Sequence, residues 1–118
     1  MKASALLTIA LAAALTACGA SFPPPNDQLA ATQGAVRAAE EAGADKDPEA
    51  QLYVKLAREQ LDKAREVMTD GQNERADRLL RRSEADADLA RGIARSKSAQ
   101  AEAEEAKKAI KKMATVDK

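Results

Sequence analysis

The chain has 118 residues with 19 basic and 19 acidic side chains, so its formal charge is zero and no net field draws it to nucleic acid or acidic lipid. It carries no His, no Trp and a single Cys, which removes thiol catalysis, disulfides and His-based metal sites from the folded part. From Cys18 to Lys118 the larger apolar side chains number 17 against 22 alanines, so the core is thin and suited to closely packed helices. Ala, Glu, Lys, Arg, Gln and Leu dominate and aromatic residues are 2% of the chain, which predicts an all-α fold.

The chain opens with Lys2 as a short positive region, followed by an apolar run from Ala3 to Ala14. A membrane span needs roughly 20 apolar residues, and this run gives way to Cys18, Gly19 and the prolines Pro23, Pro24 and Pro25. Residues 1–17 therefore read as an export signal peptide that is removed. The junction Leu15-Thr16-Ala17-Cys18-Gly19 resembles the lipobox of bacterial lipoproteins. That resemblance implies cleavage between Ala17 and Cys18, a diacylglycerol on the Cys18 thiol and, often, an acylated Cys18 amine. Two or three acyl chains hold a soluble domain at a bilayer, since each buried methylene contributes about 0.8 kcal/mol. Gly19 stands where lipoproteins retained in the inner membrane tend to have Asp, so the resemblance points to the inner leaflet of the outer membrane, facing the periplasm. The alternative is an ordinary secretory signal cut after Ala17 that leaves Cys18 free.

Residues 18–26 form a lipidated Cys and a Pro-rich tether, because three consecutive prolines enforce an extended path. The alanine-rich helical domain is expected over residues 27–113, with a tail at 114–118. Asn26 or Asp27 is placed to cap a first helix ending near Ala42, with Gly43 as its left-handed terminator and Leu29, Thr32, Val36 and Ala39 facing inward. Asp47-Pro48 is an N-cap followed by proline at the first helical position, starting a second helix that runs to about Met68. Its stripe is Val54, Ala57, Leu61, Ala64 and Met68, widened by Leu52, Tyr53, Leu56 and Val67.

Residues 69–73 form a turn around Gly71, with Asn73 placed to cap a third helix. The second and third helices should make an antiparallel hairpin within a three-helix arrangement. The third helix runs without proline to about Met113, roughly 60 Å against roughly 30 Å for the second, so about half of it overhangs. Its first half presents Ala76, Leu79, Leu80, Ser83, Ala87, Leu89, Ala90 and Ile93 to the hairpin. Its second half has one stripe, Ala99, Ala103, Ala106, Ile110 and Met113, at three-four spacing among charges. This seam either pairs with another helix, its own copy included, or stays solvated with support from pairs such as Glu104 and Lys108.

Other charges also stand four apart: Arg58 and Asp62, Glu59 and Lys63, Glu74 and Arg78, Asp77 and Arg81, Arg82 and Asp86. The cluster Arg75, Arg78, Arg81 and Arg82 has interleaved acids and no aromatics, which argues against nucleic-acid binding. Candidate catalytic groups reduce to Glu102 with Glu104 or Glu105, and Tyr53 with Lys55. Adjacent carboxylates on an exposed helix lack the desolvation that tunes an acid, so no enzyme, catalytic residue or metal site is expected and no cofactor beyond the covalent lipid on Cys18.

The repeated small residues of the hairpin run through Leu56-Ala57-Arg58, Leu61-Asp62-Lys63-Ala64-Arg65, Ala76-Asp77-Arg78-Leu79-Leu80 and Ala85-Asp86-Ala87-Asp88-Leu89-Ala90. Together with the lipobox they resemble an uncharacterised family of alanine-rich bacterial lipoproteins, a domain of unknown function whose members occur beside OmpA-like, peptidoglycan-binding domains. The resemblance implies a non-enzymatic helical module, membrane-anchored through its lipid. Its partner would be an envelope protein, peptidoglycan or a second copy, with no nucleic acid and no small-molecule substrate. An alternative is a tether like the small murein lipoprotein, joined to peptidoglycan through a C-terminal Lys, here Lys118. Ala114-Thr115-Val116-Asp117 lacks the aromatic-basic ending associated with that protein.

Overall fold

A computed structural model describes residues 21–116, which are helical apart from the incoming chain and two connections. Helix α1 spans Asn26–Glu41, α2 spans Pro48–Thr69 and α3 spans Asn73–Val116, with a single 3-10 turn at Ala44–Lys46 between the first two. There is no strand among the described residues.

Local signals explain most of the boundaries. Asp47 is the cap of α2: its Oδ1 accepts from the backbone N–H groups of Glu49 and Ala50, both at 3.0 Å, and Pro48 fills the position where no N–H is needed. Gly43 at φ +86° and Gly71 at φ +74° supply the left-handed residues that end α1 and α2. After α2 the Gly71 N–H donates to Met68 and the Gln72 N–H to Val67, both at 2.9 Å, which satisfies two orphan carbonyls in a Schellman arrangement.

Two expected caps are not made. Helix α1 already includes Asn26, and the cap position is Pro25, which offers no side-chain bond; the Leu29 N–H donates to the Pro25 carbonyl at 2.9 Å instead. Asp27 lies in the first turn, where its charge favours the positive end of the helix dipole. Asn73 likewise lies inside α3, and its side-chain N–H donates to the Phe22 carbonyl at 2.9 Å.

The three helices run up, down and up. Helix α2 is antiparallel to α3: Leu61 and Ala64 share a core cluster with Leu80 and Ala87, whereas Ala50 and Val54 share one with Ala90 and Ala94. Helix α1 is parallel to α3, since Thr32 lies beside Leu80, Ala39 clusters with Ala90 and Ala94, and Ala42 borders the same shallow cavity as Arg95 and Ser98. Alanines at the contacts let the backbones approach closely enough for buried hydroxyls to bridge them. Ser83 Oγ donates to the Ala57 carbonyl at 2.6 Å, and Thr32 Oγ1, 2.8 Å from the Gln28 carbonyl of its own turn, stands 3.2 Å from that of Leu80. Both residues are fully buried, so these bonds also satisfy groups that water cannot reach.

Close approach narrows what is buried. Val54, Ala57, Leu61 and Ala64 are in the core as expected, joined by Val67, with Met68 only partly covered. Leu52, Leu56 and Leu89, expected to widen the packed faces, stand outside it at 53%, 36% and 46% exposure. The charge pairs also differ from those expected. Arg58 does not turn back to Asp62; it spans from α2 to Glu40 at 2.7 Å and Asp45 at 3.4 Å. Lys63 meets Glu66 rather than Glu59, and Asp86 accepts from the Gln60 amide rather than from Arg82. The pairs Glu74–Arg78 and Asp77–Arg81 form as expected, at 2.6 and 2.8 Å.

Candidate functional site

Two features of the fold are built for something other than the core: the end where the chain arrives, and the part of α3 that leaves the bundle. The first is fixed by the Asn73–Phe22 bond and by Pro25, which is buried. Together they hold residues 22–25 against the turn between α2 and α3. The chain therefore enters the bundle at the Gly71 end, opposite to the end from which α3 projects.

Projection begins where α1 and α2 stop alongside. Among the described side chains Ala94 is the last buried one of α3, and every side chain from Arg95 to Thr115 is exposed. These 21 residues extend about 30 Å beyond the bundle, in a helix whose 44 residues total about 66 Å. Helix α3 continues to Val116, past the expected end at Met113. Glu104 pairs with Lys107 at 2.8 Å rather than with Lys108.

The seam Ala99, Ala103, Ala106, Ile110 and Met113 lies wholly on this overhang, with Ile110 63% and Met113 64% exposed. It is not a continuation of the packed face. The buried line of α3 is Ala76, Leu80, Ser83, Ala87, Ala90 and Ala94. Carried forward at the same spacing, that line falls on Lys97, Ala101, Glu104, Lys108 and Lys111, which are exposed. The apolar seam is displaced from it by two residues, a rotation of about 200° around the helix. The overhang thus shows mainly charged residues on the side that faces α1 and α2 lower down and its apolar seam on the other, with Ala99 at the edge, bordering a cavity with Ala38, Glu41 and Ala42 of α1.

The remaining candidates are dispersed. Glu102, Glu104 and Glu105 are exposed on the overhang, and Tyr53 is half-buried beside an exposed Lys55 that pairs with Glu59 at 3.9 Å. Among the Arg75 cluster, Arg78 and Arg81 hold acids on their own helix and Arg75 holds Gln72. The Asp77 carboxylate raises the Arg81 pKa through its hydrogen bond and charge. The hydrogen bond from Arg58 to Glu40 raises the Arg58 pKa most; burial opposes it next, and the charges of Glu40 and Asp45 add to the rise. Among the described residues no three His, Cys, Asp or Glu side chains gather where they could hold a metal ion, and no helix is long and apolar enough to cross a membrane. Leu15, Thr16, Ala17 and Cys18 lie outside the described residues.

A domain of unknown function, DUF4398, matches residues 27–106. The chain belongs to that family. The DUF4398 unit takes in the bundle and continues up α3 as far as Ala106, so it includes the start of the overhang with Ala99, Ala103 and Ala106, and stops short of Ile110 and Met113. Neither a curated protein nor a solved structure matches the chain. The Asn73–Phe22 clasp was not legible in the sequence, because an Asn just after a glycine turn carries the same signal whether it caps a helix or holds a neighbouring stretch of chain.

Proposed function

We propose that the chain is a lipid-anchored, non-enzymatic module of the bacterial envelope, with its DUF4398 unit held at one end and its overhang presented at the other. The observation that carries this reading is polarity. Cys18 precedes Phe22 by four residues, about 14 Å of fully extended chain. A lipid on Cys18 therefore places the bilayer next to the Gly71 turn, and the tip of α3 about 66 Å further out. The apolar segment before Cys18 and the Leu15-Thr16-Ala17-Cys18 junction support export and lipidation, and Gly19 favours the outer membrane, periplasmic face. The exposed seam supports an interaction role rather than a chemical one.

Mass analysis of the full chain from envelopes tests this directly. The expected mature N-terminus is Cys18 carrying a diacylglycerol, and Cys18→Ser should release the chain from membranes. An unmodified Cys18 overturns the reading. The same polarity gives substance to a second reading, a tether between outer membrane and peptidoglycan, because Lys118 follows Val116 at the end that points away from the anchor. Covalent attachment predicts a muropeptide on Lys118; release from sacculi by detergent alone excludes it.

A further inference from the structure

The seam of the overhang does not begin at Ala99. Traced back at the same three-four spacing it passes through Ser96, Gly92, Leu89 and Ala85, so one line of nine residues runs from Ala85 to Met113. All nine are exposed, and three of them, Leu89, Ile110 and Met113, are among the exposed large apolar side chains of the described residues. The spacing is an unbroken heptad over four repeats, with Leu89, Ser96, Ala103 and Ile110 at one apolar position and Ala85, Gly92, Ala99, Ala106 and Met113 at the other. The bundle itself has no use for this pattern. A Cβ added at Gly92 would meet nothing within 4 Å, although glycine inside a helix costs about 1 kcal/mol relative to alanine.

We infer that this line is the contact surface for a second copy of the same chain, the two α3 helices pairing parallel and in register. The flanking charges fit that occupant. Parallel pairing sets each residue just before the first apolar position beside the residue five further along in the partner copy. Glu102 then faces Lys107, twice by symmetry, while Asp88 faces Ile93, Arg95 faces Gln100 and Ala109 faces Ala114, so no like charges oppose. Both Glu102 and Lys107 are exposed, and Lys107 is free to exchange its own-chain partner Glu104 for the second copy. The small residues between Gly92 and Ala106 bring the two backbones close, and Leu89 below with Ile110 and Met113 above close off the ends.

An antiparallel pair would match Arg95 to Glu102 equally well, so charge alone does not choose the direction. The position of the incoming chain does, and here the inference rests on the anchored reading above. Two copies on one membrane have their Gly71 ends at the same level, which only the parallel arrangement allows. The seam runs along the open side of α3, with Ala99 bordering a shallow cavity with Ala38, Glu41 and Ala42 of α1, and Leu89, Gly92 and Ser96 one with Glu49 of α2, so pairing along it leaves each bundle on the outer side of its own α3.

The test uses the full chain in membranes of a bacterium that processes lipoproteins, with the unsubstituted chain run alongside as the baseline for Cys18. Under mild oxidation Ala106→Cys should give at least tenfold more disulfide dimer than Ala101→Cys, which stands on the opposite side of the same helix. Equal crosslinking at the two positions, or none at position 106, overturns the parallel in-register pair. Adding Gly92→Glu to the Ala106→Cys chain should lower the crosslinking at least fivefold with no fall in thermal stability, since that site is open and glutamate is the better helix former. Undiminished crosslinking there overturns the extension of the seam onto the bundle. The mass of Cys18 in the same samples separates the two ideas: a lipidated Cys18 without the position-106 dimer defeats the pairing alone, and a free Cys18 with that dimer defeats the anchor alone.

Discussion

The lower and upper parts of α3 are one uninterrupted helix of similar composition with opposite surroundings. From Ala76 to Ala94 a small or apolar residue is buried at every third or fourth position; from Arg95 to Thr115 none is. The difference teaches that three-four spacing of small residues marks a face able to pack, not a face that is packed. What decides is whether another helix runs alongside, and α1 and α2 both turn at the level of Arg95 to Ser98.

The sharpest way to break that contrast is to truncate one large residue on each side of it. Leu80 is fully buried among Val36, Leu61 and Ala64. Leu80→Ala should cost about 2–5 kcal/mol, a fall in Tm on the order of 10–25 °C for a domain of this size. Ile110→Ala, on the overhang, should leave the Tm of dilute protein within the ~0.5 kcal/mol typical of surface changes. Similar losses for both in thermal unfolding would mean that the overhang packs on its own bundle.

Enlarging alanines gives a smaller contrast from the other direction. Ala57 has no exposed surface and its carbonyl accepts from Ser83, so Ala57→Leu must push α2 and α3 apart, at about 1–3 kcal/mol. Ala103→Leu, at an open position in a helix, should change the stability of the monomer by less than about 0.5 kcal/mol. Denaturant midpoints for the pair check this, and a loss at Ala103 equal to that at Ala57 would contradict the geometry.

How much of this was legible beforehand follows from where the physics is local. Asp47-Pro48, Gly43 and Gly71 define helix ends through bonds and φ values within a few residues, and all three stand where the sequence puts them. The all-α class and the overlong third helix follow from composition and the lack of proline after Pro48. The breadth of each buried face was not legible, because it depends on how closely neighbouring backbones come. Leu52, Leu56 and Leu89 look like core residues on their own helices and are excluded only once alanines opposite draw the helices together. The up-down-up course, and with it the polarity between Phe22 and the overhang, also needed the tertiary structure. Nor does the sequence distinguish caps that look alike. Asp47→Ala should cost about 1 kcal/mol and Asn26→Ala less than about 0.5 kcal/mol, since only the first accepts backbone N–H groups. Equal losses in thermal melts would place a cap at Asn26 that the geometry does not show.

The smallest effect concerns an ion-pair cluster that ties α2 to the structure before it. Arg58 reaches Glu40 at the end of α1 and Asp45 in the 3-10 turn, all three side chains being a third to a half exposed. Water and salt screen such a group, so Arg58→Gln should cost only about 0.2–1 kcal/mol. The pH behaviour has a definite sign. The folded-state pKa of Arg58 is raised above the ordinary guanidinium value, so its contribution is fully present below that ordinary value and is lost only as pH rises through the still higher folded one. Protonation of Arg58 therefore adds no slope to stability across the neutral range. Salt is the effective lever, because the screening length falls to about 3 Å at 1 M. The difference in Tm between the parent chain and Arg58→Gln should shrink as salt is raised towards that level, while the difference caused by Leu80→Ala persists. A salt-independent Arg58→Gln loss would mean that the guanidinium holds the upper end of the bundle by packing its stem against α1, not by its charge.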